Sequence, residues 1–95
     1  MAIDLPFKQD IVEYTVILEP PYPPGWRVAP HRHPQLEINL VKSGSCIVRV
    51  DTVNYHFKTG NVFFIPSGVV HDFAADPCCG VEFVVVQFPY LEDKF

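Results

Sequence analysis

Ten prolines in 95 residues exclude long helices. They fall at Pro6, in the block Pro20-Pro21-Tyr22-Pro23-Pro24, and at Pro30, Pro34, Pro66, Pro77 and Pro89. Between them lie short runs rich in Val, Ile, Phe and Tyr, the composition of strands. The expected elements are Ile11 to Leu18, a short piece at Trp26 to Val28, Leu36 to Lys42, Cys46 to Val50, Tyr55 to Lys58, Val62 to Ile65, Val69 to Phe73 and Val81 to Phe88. Turns are expected at Ser43-Gly44-Ser45, Asp51 to Asn54, Thr59-Gly60-Asn61 and Pro66-Ser67-Gly68, with a loop over Ala74 to Gly80. Evenly spaced short strands without a helix longer than one turn predict an all-β sandwich or jelly roll. In the last strand, Val81, Phe83, Val85 and Gln87 share one face. Val84, Val86 and Phe88 share the other, which is too apolar to leave wet. A second sheet, a terminus or a second subunit is expected to cover it, and the last option motivates a homodimer.

The chemistry concentrates in Pro30-His31-Arg32-His33-Pro34-Gln35-Leu36-Glu37. Side chains alternate along an extended chain, so His31, His33 and Glu37 reach one side of a single strand, even one bent by Pro34. Two imidazoles and a carboxylate on one face form a metal-ligand set. His71 is the fourth candidate, delivered by the turn before it. Each ligand histidine needs a partner on its second ring nitrogen, and face parity nominates Asn39 and Gln87. Against this, His56 reads as a surface or half-buried residue, and Arg32 and Arg49 as solvated charges. Trp26, Tyr55, Phe64, Phe73 and Phe83 read as core.

The remaining totals narrow the class. Hydrophobic residues reach 48%, which supplies a core for one small domain over 1–95 and argues against disorder. The net charge is −4 and no Lys/Arg cluster exists, so direct nucleic-acid contact is not expected. No apolar run approaches a membrane span, and the first residues lack a signal-peptide pattern. Three cysteines, Cys46 and the adjacent Cys78-Cys79, suit reduced thiols in the cytoplasm better than a secreted disulfide framework.

Two spacings can now be written out. The first is Gly25, five residues, His31, one, His33, three, Glu37, six, Gly44; the second is Gly60, five, Pro66, one, Gly68, two, His71. Together they resemble the two signature motifs of the cupin superfamily, at 25–44 and 60–75. One departure is clear: Ala75 stands where the second motif usually closes on Asn. The resemblance implies a double-stranded β-helix, the jelly-roll cupin barrel. It also implies a divalent transition metal (Fe, Mn, Ni, Zn or Cu) on His31, His33, Glu37 and His71.

A narrower likeness runs from His33 through Phe73 and on to Phe83–Leu91, in NLVKSGSCIVRV, GNVFFIPSGVVHDF and FVVVQFPYL. These segments are similar to the N-terminal sensor barrel of AraC-type transcription regulators. That likeness implies a module binding a small polar ligand, either standing alone or cut from a longer regulator. The competing expectation is a metal-dependent cupin enzyme, such as a dioxygenase, isomerase or decarboxylase. No further acid–base pair stands out for that role; Asp72 has opposite parity to His71.

Overall fold

The β-branched and aromatic runs between the prolines form strands throughout the computed structural model, which describes residues 2–4 and 11–89. In chain order these are β1 (Ala2–Asp4), β2 (Ile11–Glu13), β3 (Thr15–Leu18), β4 (Arg27–His31), β5 (Leu36–Val50), β6 (Val53–Lys58), β7 (Val62–Ile65), β8 (His71–Ala75) and β9 (Val81–Phe88). No helix occurs among the described residues. Every named strand pair is antiparallel. The architecture is the expected all-β jelly roll.

The strand that organises it is β5. Its first half lies between β9 and β7, and β3 extends that sheet beyond β9. Its second half lies between β6 and β8, and β4 extends the other sheet beyond β8. The turn expected at Ser43-Gly44-Ser45 is therefore absent. The strand runs on through a register shift between Val41 and Ser43 and passes from one sheet to the other. Gly44 makes this possible. Its φ is +81°, and a Cβ there would stand 2.1 Å from the Gly80 carbonyl oxygen. The Ser45 amide donates to that same oxygen at 3.0 Å.

Two further expectations change. Ile11 to Leu18 is broken at Tyr14: β2 pairs with β1, while β3 pairs with β9. The chain from His31 to Glu37 is likewise not one strand. β4 ends at His31 and β5 begins at Leu36, because Pro34 supplies no amide for a ladder and sits in a bend.

The inner faces of the two sheets make the core, with Val41, Cys46, Val48, Ile65, Ala75, Val81, Phe83 and Val85 buried. In β9 the buried positions alternate, as the sequence predicts. Aromatic rings bridge the sheets. Phe57 stacks on Phe63 at 4.3 Å between centroids, and Phe73 meets Phe83 edge-on at 5.4 Å. Such pairs add about 0.5–1.5 kcal/mol beyond the area they bury. Tyr22, from the proline block, closes on Phe73 at 5.0 Å and pairs its backbone with Val81. Its hydroxyl donates to Glu19, and burial together with that carboxylate pushes the phenol up to about 12. Trp26 and Phe64, expected inside, are exposed, and Tyr55 is half exposed while stacked in line with Phe57.

A loop knot joins the sheets at one end. Asp76 accepts from the Cys78 and Cys79 amides and from the Ser45 hydroxyl, which holds its carboxyl down at about 2. Its own amide donates to the Ser45 carbonyl, and its carbonyl accepts from Gly25 and Gly80. The three cysteines are free thiols.

Candidate metal centre

The site forms where β4, β8 and the bend before β5 meet. His31 and His71 are register partners on the neighbouring strands β4 and β8, with ring centroids 4.3 Å apart. His33 comes from the bend, its centroid 5.2 Å from that of His71 and 5.8 Å from that of His31. The Gly68 amide donates to the His33 carbonyl at 2.9 Å, tying the Pro66-Ser67-Gly68 turn to the first motif. One ring nitrogen from each of the three lies within 4.8 Å of the others.

The hydrogen bonds decide which nitrogen each ring presents. Nδ1 of His31 meets the Ala29 carbonyl at 2.9 Å, Nδ1 of His33 the Gln35 carbonyl at 2.9 Å, and Nδ1 of His71 the Val69 carbonyl at 2.8 Å. A carbonyl oxygen only accepts, so each Nδ1 carries the proton. Each neutral ring then offers its Nε2 lone pair. A backbone carbonyl on the second nitrogen is a standard arrangement for a metal-ligating imidazole. His33 Nε2 is buried and has no hydrogen-bond partner. An orphaned buried acceptor of that kind carries a desolvation cost that a cation relieves. Burial also drives the His71 imidazole below its ordinary value, and its neighbours His31 and His33 push the same way. The Val69 carbonyl and Glu37 act in the opposite direction. The donor set therefore fits a divalent transition metal.

Glu37 lies on β5 at the edge of this group and is not one of the three clustered donors. Its Oε2 stands 3.2 Å from His33 Nε2, close but not aligned for a hydrogen bond. The Gln87 amide donates to Oε2 at 2.5 Å, and the Asn39 amide reaches Oε1 at 3.4 Å. Asn39 and Gln87 were the expected partners of the histidines. They hold the carboxylate instead, because backbone carbonyls already occupy the imidazoles. Glu37 and Gln87 are register partners on β5 and β9, a pairing across 50 positions that parity on one strand does not reveal.

Two clefts flank the site. One of about 390 Å³ is lined by Arg32, His33, Pro34, Ser67 and Gly68. The other, about 480 Å³, is bordered by Thr15, Gln35, Gln87 and Phe88 among others. His56 is exposed, and Arg49 binds Asp72 at 2.7 Å on the outside of the barrel.

Comparison with solved structures returns many relatives of the same shape. A cupin superfamily protein from Desulfitobacterium hafniense superposes with a TM-score of 0.67 at 10% identity, over 81% of this chain and 78% of that one. A predicted oxalate decarboxylase from Thermotoga maritima gives 0.63 at 24% identity, over 80% of this chain and 63% of that one. KdgF from Halomonas sp. gives 0.65 at 17% identity, over 88% and 84%. At these identities the likeness fixes the fold and nothing finer. No curated protein matches the sequence. The model of the AraC-like ligand binding domain matches residues 15–90, nearly the whole barrel. With that match on a cupin fold, the chain belongs to the AraC-like ligand-binding domain family.

Proposed function

We propose that residues 1–95 form one metal-bearing cupin barrel that senses a small polar ligand. His31, His33 and His71 hold a divalent transition ion (Fe, Mn, Ni, Zn or Cu), and Glu37 is available as a fourth donor. The observation that carries this reading is the common orientation of the three rings: every Nδ1 is spent on a carbonyl, and the Nε2 of His33 is left buried without a hydrogen-bond partner, 3.2 Å from the Glu37 carboxylate. A bound ion supplies Lewis acidity and open coordination positions, on which a ligand with hydroxyl or carboxylate groups can seat. The family match supports a ligand-binding role for the domain.

His33→Ala and His71→Ala should each lower metal content to background in protein purified without a histidine tag, as elemental analysis measures. Unchanged metal in both variants would rule the site out. The open positions also favour a second reading, a metal-dependent enzyme. Oxygen uptake by the iron-loaded protein with 1,3-diketones, thiols or catechols would favour that reading over the sensor.

The protein is further read as a cytoplasmic homodimer that touches neither nucleic acid nor membrane through this domain. Three free thiols support the reducing compartment. The dimer is supported by the outer face of the β3-β9-β5-β7 sheet. There Val16, Val86, Ile38 and Phe64 line up across the four strands, and Leu18, Val84, Leu40 and Val62 form the adjacent row. Five of these side chains are 38–75% exposed. Eight apolar residues in register make a continuous patch, and the largest apolar patch on a typical monomer is about 300–600 Å² and often an interaction site.

A further inference from the structure

Two of the three thiols stand side by side at the surface. Cys78 and Cys79 are exposed, whereas Cys46 lies in the core at 1% exposure, where burial pushes its thiol up to about 11. The pair belongs to a single turn, Pro77-Cys78-Cys79. Gly80 closes that turn: its amide donates to the Asp76 carbonyl at 3.0 Å, and its φ of +69° is one that glycine adopts freely. Asp76 Oδ1 accepts from both cysteine amides, at 2.7 and 3.0 Å, which fixes the backbone beneath the two thiols. The other carboxylate oxygen, Oδ2, is taken by the Ser45 hydroxyl at 2.9 Å. Both oxygens of Asp76 are thus already engaged, and the turn offers an incoming group two sulfurs. Among the described residues, three or more His, Cys, Asp or Glu donors gather at the histidine centre alone. Two soft donors without a third do not suit zinc, which takes four ligands, or the harder oxygen-seeking ions. They suit a soft centre that consumes two thiols.

We propose that Cys78 and Cys79 form a dithiol site for a monosubstituted trivalent arsenical, separate from the histidine centre. Such a compound carries one carbon and two hydroxyl groups on arsenic. Each thiol replaces one hydroxyl. Two S–As bonds form, two As–O bonds break, and the thiol protons leave with the hydroxyls as two waters. Arsenic stays trivalent, so the exchange needs neither oxidant nor reductant. It also needs no preformed thiolate, which suits a Cys79 thiol raised by desolvation and by the neighbouring Asp76 carboxylate. Once the first bond has formed, the second thiol acts within the same turn at high effective concentration. The two donors are neighbours in sequence, so the contribution of the fold is access. It holds both thiols in water and keeps Cys46 out of reach.

Titration of the native full chain with phenylarsine oxide tests this, with a phosphine as the reductant in place of a thiol. Intact-mass spectrometry should show a single adduct, and Cys78 and Cys79 should both become protected from maleimide alkylation. 2,3-Dimercaptopropanol should strip the adduct, while a monothiol at the same concentration should not. Cys78→Ser and Cys79→Ser should each weaken binding by at least about 100-fold, the loss expected when two linked donors become one. Both variants keep the backbone amides that Asp76 holds, and Cys78→Ala and Cys79→Ala should repeat the loss without a new hydroxyl. Wild-type affinity in a single-cysteine variant of the pair would overturn the inference. So would an adduct that protects Cys46 instead of the pair, or a native chain that takes up no arsenical.

Discussion

The two sheets share one strand and turn opposite characters outward. Outside the β4-β8-β5-β6 sheet, the row Asn54, Arg49 and Asp72 is polar, and Arg49 grips Asp72 through both Nε and Nη2. The next row, His56, Ile47, Ala74 and Arg27, carries one large apolar residue. Outside the β3-β9-β5-β7 sheet, two full rows are apolar, closed at one end by Lys42 paired with Glu82 at 3.5 Å. Both faces are built by the same period of two in strands of the same composition. The difference is therefore a statement about surroundings: the polar face suits water, and the apolar face is the one that the proposed dimer would cover.

The largest effect expected lies inside. Phe83→Ala removes the ring that meets Phe63, Phe73 and Tyr22 and should cost about 3–5 kcal/mol in urea unfolding. On the outer side of the neighbouring strand, Leu40→Lys should raise the dimer dissociation constant by at least about tenfold, or ~1.4 kcal/mol. Sedimentation measures this, and wild type that is monomeric at micromolar concentration would erase the contrast between the faces. On the polar face, Arg49→Ala should change stability by no more than about 1 kcal/mol, because the guanidinium is half exposed and screened. The last test concerns the loop knot and is read through pH. The Asp76 carboxyl is held down at about 2 against an ordinary value of 3.8. Its contribution is complete above that ordinary value and disappears as pH falls through about 2. Asp76→Asn should flatten the acid limb of the urea midpoint between those two pH values relative to wild type.

What the sequence reveals is what depends on neighbours along the chain. The alternation of β9 is local, so its buried face is readable before folding. The three histidines are readable because each sits beside its own turn or proline. Gly44 misleads, since Ser-Gly-Ser carries the same signal whether the chain reverses or bends between sheets; the contact with Gly80 that decides the matter is remote. The path from His31 to Glu37 misleads for a related reason. Counting parity assumes one strand, and Pro34 makes two. The grip of Gln87 on Glu37 is set by register between β5 and β9, which no local pattern encodes.

One pairing has a consequence for how the molecule is made. β3 stands near the start of the barrel and finds its partner only in β9, near the end. A nascent chain emerging from the ribosome thus holds β3 unpaired until almost every other strand has been synthesised. Closure of that sheet waits until β9 has emerged, and contacts so distant in sequence form slowly. Until then the first apolar row is an open edge, available to another unfinished copy.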